Sequence, residues 1–241
     1  SVVARKILTQ LAQPFLLGER ELFITGSLGI AVYPADADNP GDLIKHADGA
    51  MYLAKKMGGN NFQYFTAKVN HNVAIRLELE TGLRYALERQ EFELYYQPQV
   101  DLNSGQITGF EALLRWQRPG YGSVSPLQFV PLAEETGLIL PIGEWVLRVA
   151  CAQARAWQDM GFGPLSVAVN LSARQFEQAS LAKTIQTILS ETGLAAAQLE
   201  VELTESTVMH HVDQAIAILA ELKQLGVRVS IDDFGTGYSS L

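Results

Sequence analysis

Five oxygen-bearing residues stand at corresponding places in four strand-like segments of the sequence. They are Glu111, Asn170, Glu202 and the adjacent pair Asp232 and Asp233. Apolar and polar residues alternate in each segment, as they do in a strand with one buried face. Acidic side chains that face inward from neighbouring strands repel one another in a dry interior unless they are protonated, paired or bridged by a cation. A metal site is the simplest explanation, and an all-oxygen set of ligands favours Mg²⁺ or Mn²⁺ over Zn²⁺.

Each of these residues, taken alone, also has a purely structural explanation. Glu111 and Arg115 fit a salt-bridged pair on an edge strand, and Asn170 fits a cap of the turn that follows it. The pair Asp232 and Asp233 fits a helix cap or a turn. Four such coincidences at four strand ends are improbable together, so the combination favours the metal site.

A further charged pair lies on the same inward face of the last two segments. Glu200 and Arg228 come shortly before Glu202 and Asp232 in their respective strands. We expect the two side chains to lie below the plane of the metal ligands, and we predict that they form a structural ion pair.

The elements that must hold these residues alternate between strand and helix from Glu91 onward. The expected strands end near Pro98, Trp116, Leu171, Leu203 and Ile231, and the expected helices span about 126–135, 143–160, 176–192 and 212–225. This alternation implies a parallel sheet, and functional residues at strand ends are typical of a barrel or a doubly wound fold.

The N-terminal part of the chain has a different pattern. Residues 1–65 read helix, strand, helix and strand, and the clearest of these is a helix over about Asp42 to Met57 that Gly58 and Gly59 end. Residues 66–90 suggest a helical connector. We therefore expect a first domain over 1–65, a connector over 66–90 and a second domain over 91–241, in a piece of a longer protein.

Composition limits the functions that the chain can have. Its 241 residues are 48% apolar and carry a formal net charge of −8, which argues against DNA or RNA as a partner. Cys151 is the only cysteine, so no intramolecular disulfide is possible, and we expect it to be a small buried residue. Apolar runs fall short of the roughly 20 residues that span a bilayer. We expect a cytoplasmic domain, in a parent protein that a segment elsewhere could anchor to the membrane.

Four phrases of the sequence carry the strongest family signal: EALLRW at 111–116, VNLSARQF at 169–176, ELTES at 202–206 and DDFGTGYSSL at 232–241. They resemble the EAL family of cyclic di-GMP phosphodiesterases. The resemblance covers residues 91–241 and implies an α/β fold, here an incomplete TIM-type (β/α) barrel. Residues 1–65 resemble the closing part of a GGDEF, or diguanylate cyclase, domain through SLGIAVYP at 27–34 and ADGAMYLAKKMGGNNF at 47–62.

The resemblance implies roles for individual residues. Two divalent cations would be coordinated by Glu111, Asn170, Glu202, Asp232 and Asp233, and would activate a water that opens cyclic di-GMP to linear pGpG. Substrate contacts are implied for Gln97, Leu113, Arg115, Asn170 and Asp233, with Arg115 on a phosphate. Glu205 matches a glutamate that holds the DDFG loop in shape, so that the catalytic set becomes Glu111, Glu205, Asp232 and Asp233.

The chain also departs from the families that it resembles. The EAL barrel continues beyond the DDFG strand with three further strands, so we predict that residues 1–241 alone have little or no hydrolytic activity. In the GGDEF-like part Lys55 matches a nucleotide-phosphate contact, but Gly59 stands where that family usually has arginine.

Two functions of different classes remain open at this point. The first is metal-dependent hydrolysis of cyclic di-GMP, and the alternative is a receptor that binds cyclic di-GMP without hydrolysing it. Degenerate receptors usually lose metal ligands, whereas all those testable here are present. A homodimer is a further expectation from the family. The four histidines, His46, His71, His210 and His211, are not expected to bind metal, because none lies at a strand end on the inward face.

Overall fold

The computed structural model of the chain describes residues 1–18, 20–210 and 212–232. The chain divides into two compact units, Ser1–Leu79 and Glu80–Leu241. Among these described residues no single helix is long and apolar enough to cross a bilayer. Helices α4 (Pro126–Thr136) and α5 (Ile139–Asp159), which meet at a bend of 120°, pass that test by length and composition only when they are taken together.

The first unit contains short strands and two helices, and a third helix begins in it. Its elements are α1 (Val2–Leu11), β1 (Phe15–Leu17), β2 (Arg20–Leu22), β3 (Leu28–Ile30), α2 (Pro40–Lys56), β4 (Phe62–Tyr64) and the first part of α3 (Ala67–Ala86). Strands β1 and β2 pair antiparallel, and β3 and β4 pair parallel. The apolar segment from Phe23 to Tyr33, which the sequence pattern predicts as the first of these strands, forms β3 only over Leu28–Ile30.

Helix α2 starts two residues earlier than the sequence pattern predicted. Asn39 is its N-cap, and the Asn39 side chain accepts a hydrogen bond from the backbone N–H of Asp42. Pro40 occupies the first turn, where its missing N–H removes no helical hydrogen bond. The cap is thus the asparagine before the proline, and Asp42 is the residue that it caps.

The second unit is built on one mixed sheet. The strands are β5 (Phe92–Val100), β6 (Ile107–Arg118), β7 (Gly122–Val124), β8 (Ser166–Asn170), β9 (Leu199–Thr204) and β10 (Arg228–Asp232). Their order is β10-β9-β8-β6-β5, with β7 paired antiparallel to part of β6. Strands β6, β8, β9 and β10 run parallel, and β5 pairs antiparallel with β6. In the described part of the chain the sheet is open, with β5 and β10 at its two ends.

Helices connect the parallel strands as the alternating pattern predicted. Helices α4 and α5 precede β8, and α6 (Ala173–Phe176) and α7 (Leu181–Thr192) precede β9 together with a 3₁₀ turn (Ala196–Gln198). Helices α8 (Glu205–His210) and α9 (Val212–Leu225) precede β10. Two helix starts differ from prediction. The helix expected over 176–192 begins only at Leu181, after the separate short helix α6 has ended at Phe176. Helix α5 begins at Ile139, before the expected residue 143, because Pro141 fits within its first turn.

The core lies between the apolar rows of the sheet and the buried faces of the helices. Leu199, Val201 and Leu203 of β9 are fully buried, while the residues between them are half-buried. Helix α5 contributes a buried stripe that includes Cys151, and burial raises the pKa of that thiol to about 12. The expectation that Cys151 is a buried packing residue is therefore confirmed.

A buried hydrogen bond fixes the point where the chain enters the sheet. The indole Nε1 of Trp116, which is fully buried, donates to Glu91 Oε2 at 2.9 Å. The backbone oxygen of Glu91 accepts from Gln117 N at 2.8 Å. The Phe92 ring packs near the rings of both Trp116 and Trp145, with centroids 6.0 Å apart in each case. The Glu91 carboxylate is thus satisfied by a donor from within the core.

We predict that Trp116→Phe destabilises the protein by roughly 1–3 kcal/mol, because it leaves the buried Glu91 carboxylate without the indole donor. The free energy of unfolding in urea, followed by near-ultraviolet circular dichroism, measures the effect. Trp145→Phe is the matched control, since it removes the same atoms beside Phe92 without touching a Glu91 hydrogen bond. Equal losses in the two variants would contradict the role given to the hydrogen bond.

Candidate functional site

The register of the sheet decides which predicted residues become neighbours. Gln97 of β5 lies opposite Glu111 of β6, and Glu111 is in turn paired with Ala168 of β8. Asn170 pairs with Glu202, one step further towards the carboxyl ends of the strands. The predicted residues thus lie on adjacent rows across neighbouring strands, rather than in one row.

Asp232 lies one row beyond Asn170 and Glu202. It pairs with Thr204 and is the last residue of β10. Asp233, predicted as a metal ligand, catalytic residue and substrate contact, lies outside the described residues.

Glu111 does not lie at the end of its strand, which corrects the simple picture from the sequence. Strand β6 continues for seven residues beyond it, to Arg118. The parallel pairing of β6 with β8 nevertheless ends at Ala112, and the rest of β6 pairs with β5 and β7. Glu111 therefore lies at the carboxyl end of the parallel part of β6, which is where a site between parallel strands forms.

A direct contact joins two of the predicted metal ligands. The side-chain amide of Asn170 donates through Nδ2 to Glu111 Oε1 at 2.7 Å. Asn170 is exposed and Glu111 is half-buried. The amide holds the Glu111 carboxylate towards the end of β8, so the strands β6 and β8 present one shared group of oxygen atoms.

The negative charges of the other acidic residues of the site act on Glu202. Partial burial and, in decreasing order of importance, the negative charges of Glu111, Asp232 and Glu200 together raise the pKa of Glu202 from 4.5 to about 7. No Lys or Arg within the described ranges pairs with Glu202. Carboxylates held in mutual repulsion, with an amide oxygen beside them, are the type of ligand set that a hard divalent cation stabilises.

The acidic residues are near one another but do not form a compact cluster. Within residues 1–18, 20–210 and 212–232, no group of three or more His, Cys, Asp or Glu side chains is arranged to hold a metal ion. The structure brings Glu111 and Asn170 into contact and places Glu202 within electrostatic reach of Glu111 and Asp232. The donor types fit Mg²⁺ or Mn²⁺, and coordination by the whole set stays a prediction.

The predicted ion pair below the metal ligands is confirmed. Arg228 Nη2 lies 3.4 Å from Glu200 Oε2, and the two residues are directly paired between β9 and β10. The Glu200 side chain is 21% exposed, whereas that of Arg228 is 49% exposed. One negative charge of the site is therefore offset locally, on the row below Glu202.

A cleft of about 640 Å³ opens beside these strand ends. Leu113 and Arg115 of β6 line it together with Asn170, so three of the predicted substrate contacts share one cavity. Its walls include residues of α4 and α5, and Thr204 and Thr207 line it next to α8. Gln97, the other predicted substrate contact within the described residues, does not line it. Gln97 is exposed and lies opposite Glu111.

Arg115 is held at the cleft by its own neighbourhood. Its Nη1 donates to the backbone oxygen of Leu114 at 2.9 Å, and its Cζ lies 5.3 Å from the centre of the Tyr95 ring. A guanidinium stacked in this way keeps further N–H groups for an anionic ligand. The phosphate contact implied by the family stays a prediction.

Two features near the cleft were not assigned a functional role from the sequence. Glu134 of α4 lines the cleft and is half-buried, and burial raises the pKa of its carboxyl group. Its place in the sequence, in a predicted helix over 126–135, indicates only a packing role. The capping box of Ser172 and Gln175 at the start of α6 was also missed, although its signature of serine followed three residues later by glutamine was legible.

Glu205 is the first residue of α8, immediately after β9, and is half-buried. Its expected role in shaping the DDFG loop stays a prediction, because that loop lies outside the described residues.

Of the histidines, His46 lies in α2 with its Nδ1 2.7 Å from the backbone oxygen of Asp36, and its ring stacks on Phe65. It is a structural residue of the first unit, whereas His211 lies outside the described residues.

Comparison with known families decides what this chain is related to. A sequence model described as the EAL domain matches residues 80–241. The chain belongs to the EAL domain family. A second model, described as diguanylate cyclase, GGDEF domain, matches residues 1–61, so the EAL domain follows a GGDEF segment.

One curated relative of this EAL domain chain is named as both a diguanylate cyclase and a cyclic di-GMP phosphodiesterase, and another as a cyclic di-GMP phosphodiesterase. It is 46% identical over 241 residues to the bifunctional diguanylate cyclase/cyclic di-GMP phosphodiesterase MucR of Pseudomonas aeruginosa, covering 100% of this chain and 35% of the relative. It is 41% identical over 239 residues to the cyclic di-GMP phosphodiesterase PdeR of Escherichia coli, covering 99% of this chain and 36% of the relative. The chain thus spans about a third of the length of these curated relatives.

Solved EAL domains have the same fold. The PaMucR phosphodiesterase in complex with c-di-GMP matches with a TM-score of 0.65 and 50% identity, over 68% of this chain and 66% of that one. The Xanthomonas citri FimX EAL domain in complex with c-diGMP matches with a TM-score of 0.60 and 29% identity, over 68% and 63%. These likenesses confirm the TIM-type α/β fold class, although the described residues form no closed barrel.

We predict a small coupling energy of about 0.5–1 kcal/mol between Glu200 and Arg228, because Arg228 is half exposed and water screens its charge. A double-mutant cycle of Glu200→Gln, Arg228→Ala and the combined variant, read by urea unfolding, measures it. The exposed pair of Glu144 and Arg148 on α5, at 3.0 Å, is the control for a surface ion pair. A coupling energy indistinguishable from zero would contradict a structural role for the Glu200 pair.

Proposed function

We propose that this EAL domain serves bacterial second-messenger signalling by hydrolysing cyclic di-GMP to linear pGpG in a metal-dependent reaction. The observation that carries the proposal is the shared group of oxygen ligands at the sheet edge, with Asn170 bound to Glu111 and Glu202 in the field of Glu111 and Asp232. Relatives that carry the name cyclic di-GMP phosphodiesterase support the same substrate.

The ligands of two Mg²⁺ or Mn²⁺ ions would be Glu111, Asn170, Glu202, Asp232 and Asp233. Bound divalent cations supply two things in such chemistry: a lower pKa of an attacking water and neutralisation of the charge that develops at the phosphate. Hydrolysis adds one water across a phosphodiester bond, so that the oxygen of water bonds to phosphorus and the sugar hydroxyl leaves with a proton. The residues of the chain orient the substrate for that attack.

Three residues near the proposed metal ligands are proposed to hold the substrate. Arg115 would bind phosphate oxygens with the forked N–H groups of its guanidinium. Leu113 lines the cleft and would contact an apolar face of the ligand. Gln97, opposite Glu111, would donate or accept a hydrogen bond at the mouth of the site. Glu205, directly after β9, would hold the loop that carries Asp233.

A receptor that binds cyclic di-GMP without hydrolysis is the second candidate. The specific observation in its favour is that the described carboxylates form no compact cluster, while the cleft with Leu113 and Arg115 is present. Hydrolysis remains the preferred proposal because all the predicted ligand residues occur in the sequence, including Asp233. We further propose a cytoplasmic location, where a nucleotide messenger is available, and assembly as a homodimer.

We predict that Asp232→Asn in the complete protein lowers the turnover of cyclic di-GMP by more than about a hundredfold. Even the outer partners of metal ligands are worth roughly 10–100-fold, and a direct carboxylate ligand is worth more. Formation of pGpG in the presence of Mg²⁺, resolved by chromatography, is the measurement. Chelation of the metal with EDTA is expected to abolish wild-type turnover as well.

The matched control for this variant is Asp159→Asn, which removes an exposed carboxylate at the end of α5. It should leave turnover unchanged. Wild-type protein that binds cyclic di-GMP tightly but forms no pGpG would favour the receptor, and unchanged turnover of Asp232→Asn would exclude the metal role of that carboxylate.

We also predict that residues 1–241, produced alone, form little or no pGpG. In the described residues the sheet is open at β10, where Asp232 is exposed. An open site weakens the electrostatic interactions that stabilise charge at a phosphate. Comparison of the isolated chain with the complete protein at equal concentration is the test, and comparable Mg²⁺-dependent rates would refute the prediction.

A further inference from the structure

The short helix α6 directly follows the strand end that carries Asn170. Ser172 is its N-cap, and the backbone N–H and hydroxyl of Ser172 both donate to Gln175 Oε1, at 3.2 and 2.8 Å. The Ser172 hydroxyl in turn accepts from the backbone N–H of Gln175 at 3.3 Å. These reciprocal bonds fix the orientation of α6 two residues after Asn170.

Arg174 of α6 reaches across to the end of α4. Its Nη1 donates to the backbone oxygens of Glu134 and of Glu135, the latter at 3.3 Å. These carbonyls belong to the last turn of α4, where a cation also interacts favourably with the helix dipole. Gly137 ends α4 with a φ of +82°, and a Cβ there would lie 3.4 Å from Arg174 Nη2. The turn after α4 is therefore shaped to receive the guanidinium.

Helix α6 is tied to α5 as well. Gln175 is only 6% exposed, and its side-chain amide occupies the space that a Cβ at Gly143 would need. Any residue larger than glycine at this place in α5 would displace Gln175 and break the capping box. Helices α4 and α5, which form two walls of the cleft, thus both contact the short helix α6.

We infer that Arg174 is a positioning residue, which sets the place of the α4 wall relative to Asn170 and so the width of the cleft. Pro126, Val130 and Glu134 of α4 line the same cleft as Asn170 and Arg115. The inference rests on the proposed function, because it assigns that cleft to the cyclic dinucleotide. Arg174 itself does not line the cleft, so its effect on the ligand is exerted through α4.

Loss of the Arg174 contacts is expected to act on substrate binding more than on the chemical step. In Arg174→Ala we expect KM for cyclic di-GMP to rise roughly tenfold, the size seen for outer partners that orient a site. We expect kcat to stay within about twofold, since a substitution that weakens binding of the substrate ground state and of the transition state equally changes KM alone. Arg174→Lys should recover part of the loss, because it keeps a positive charge that can donate to a carbonyl. The recovery should be incomplete, because an ammonium group lacks the planar fork that serves two carbonyls.

The test uses the complete protein and the matched variant Arg155→Ala. Arg155 is also an exposed arginine that reaches the carbonyl at the end of a helix, with Nη1 3.5 Å from the Gly193 oxygen after α7. It lies outside the cleft. KM, kcat and Tm are measured for each variant, and equilibrium binding of cyclic di-GMP is measured without divalent cations, so that the ligand is not consumed.

The expected result is a rise in KM and in Kd for Arg174→Ala, partly restored by Arg174→Lys, with Arg155→Ala like the wild type at a similar Tm. Equal KM and Kd in Arg174→Ala and Arg155→Ala would overturn the inference, and so would a fall in Tm with unchanged KM. If Arg174→Ala does not fold, Arg174→Gln, which keeps one donor, is judged by the same criteria. A wild-type protein without turnover or binding would instead contradict the proposed function.

Discussion

Negative charges that share one edge of a sheet are the constraint on which the rest of this structure depends. Neighbouring parallel strands carry four acidic residues, Glu111, Glu200, Glu202 and Asp232. The negative charges of the other three make the ionised form of Glu202 less favourable. The repulsion is partly relieved within the protein, because Arg228 pairs with Glu200 and the Asn170 amide donates to Glu111. The repulsion that is not relieved raises the pKa of Glu202. An arrangement that is unfavourable for the empty protein is favourable for a divalent cation, and this is the physical reason for the metal-dependent chemistry proposed here.

The sheet and its helices supply the geometry that this constraint requires. Parallel pairing places successive strand ends at one edge. The stagger of one row from Glu111 to Asn170 and Glu202, and of one more to Asp232, spreads the predicted donors over three rows on four strands. Fully buried residues of β8 and β9, such as Val169 and Val201, anchor the strands from the other face. The site is thus carried by strands whose opposite face is buried in the core, which holds the charged groups in place despite their repulsion.

The cleft depends on a different set of contacts from the acidic edge. Helices α4 and α5 form its walls, and both are attached to α6 through Arg174 and Gln175. Helix α6 begins two residues after Asn170 and is fixed by its capping box. The predicted metal ligands and the walls of the cleft therefore both adjoin the carboxyl end of β8.

Much of this arrangement was predictable from local pattern, and the failures are instructive. The alternation of strands and helices, the burial of Cys151 and the Glu200–Arg228 pair followed from periodicity and from which residues share a face. The start of α2 was missed because the asparagine before Pro40, rather than Asp42, supplies the cap. The start of α7 was predicted five residues too early, because Phe176 was taken as its first residue, whereas Phe176 ends the separate short helix that the capping box at Ser172 starts.

The sequence by itself determined the chemical types at the site, the strands that carry them and the family to which the chain belongs, since these depend on residue identity and on spacing along one strand. Only the tertiary structure decided which of those residues touch. That Asn170 bonds to Glu111, 59 positions away, and that Arg174 reaches the end of α4 depend on strand register and helix packing. Register and packing arise from the whole core at once, so no single segment of the chain encodes them.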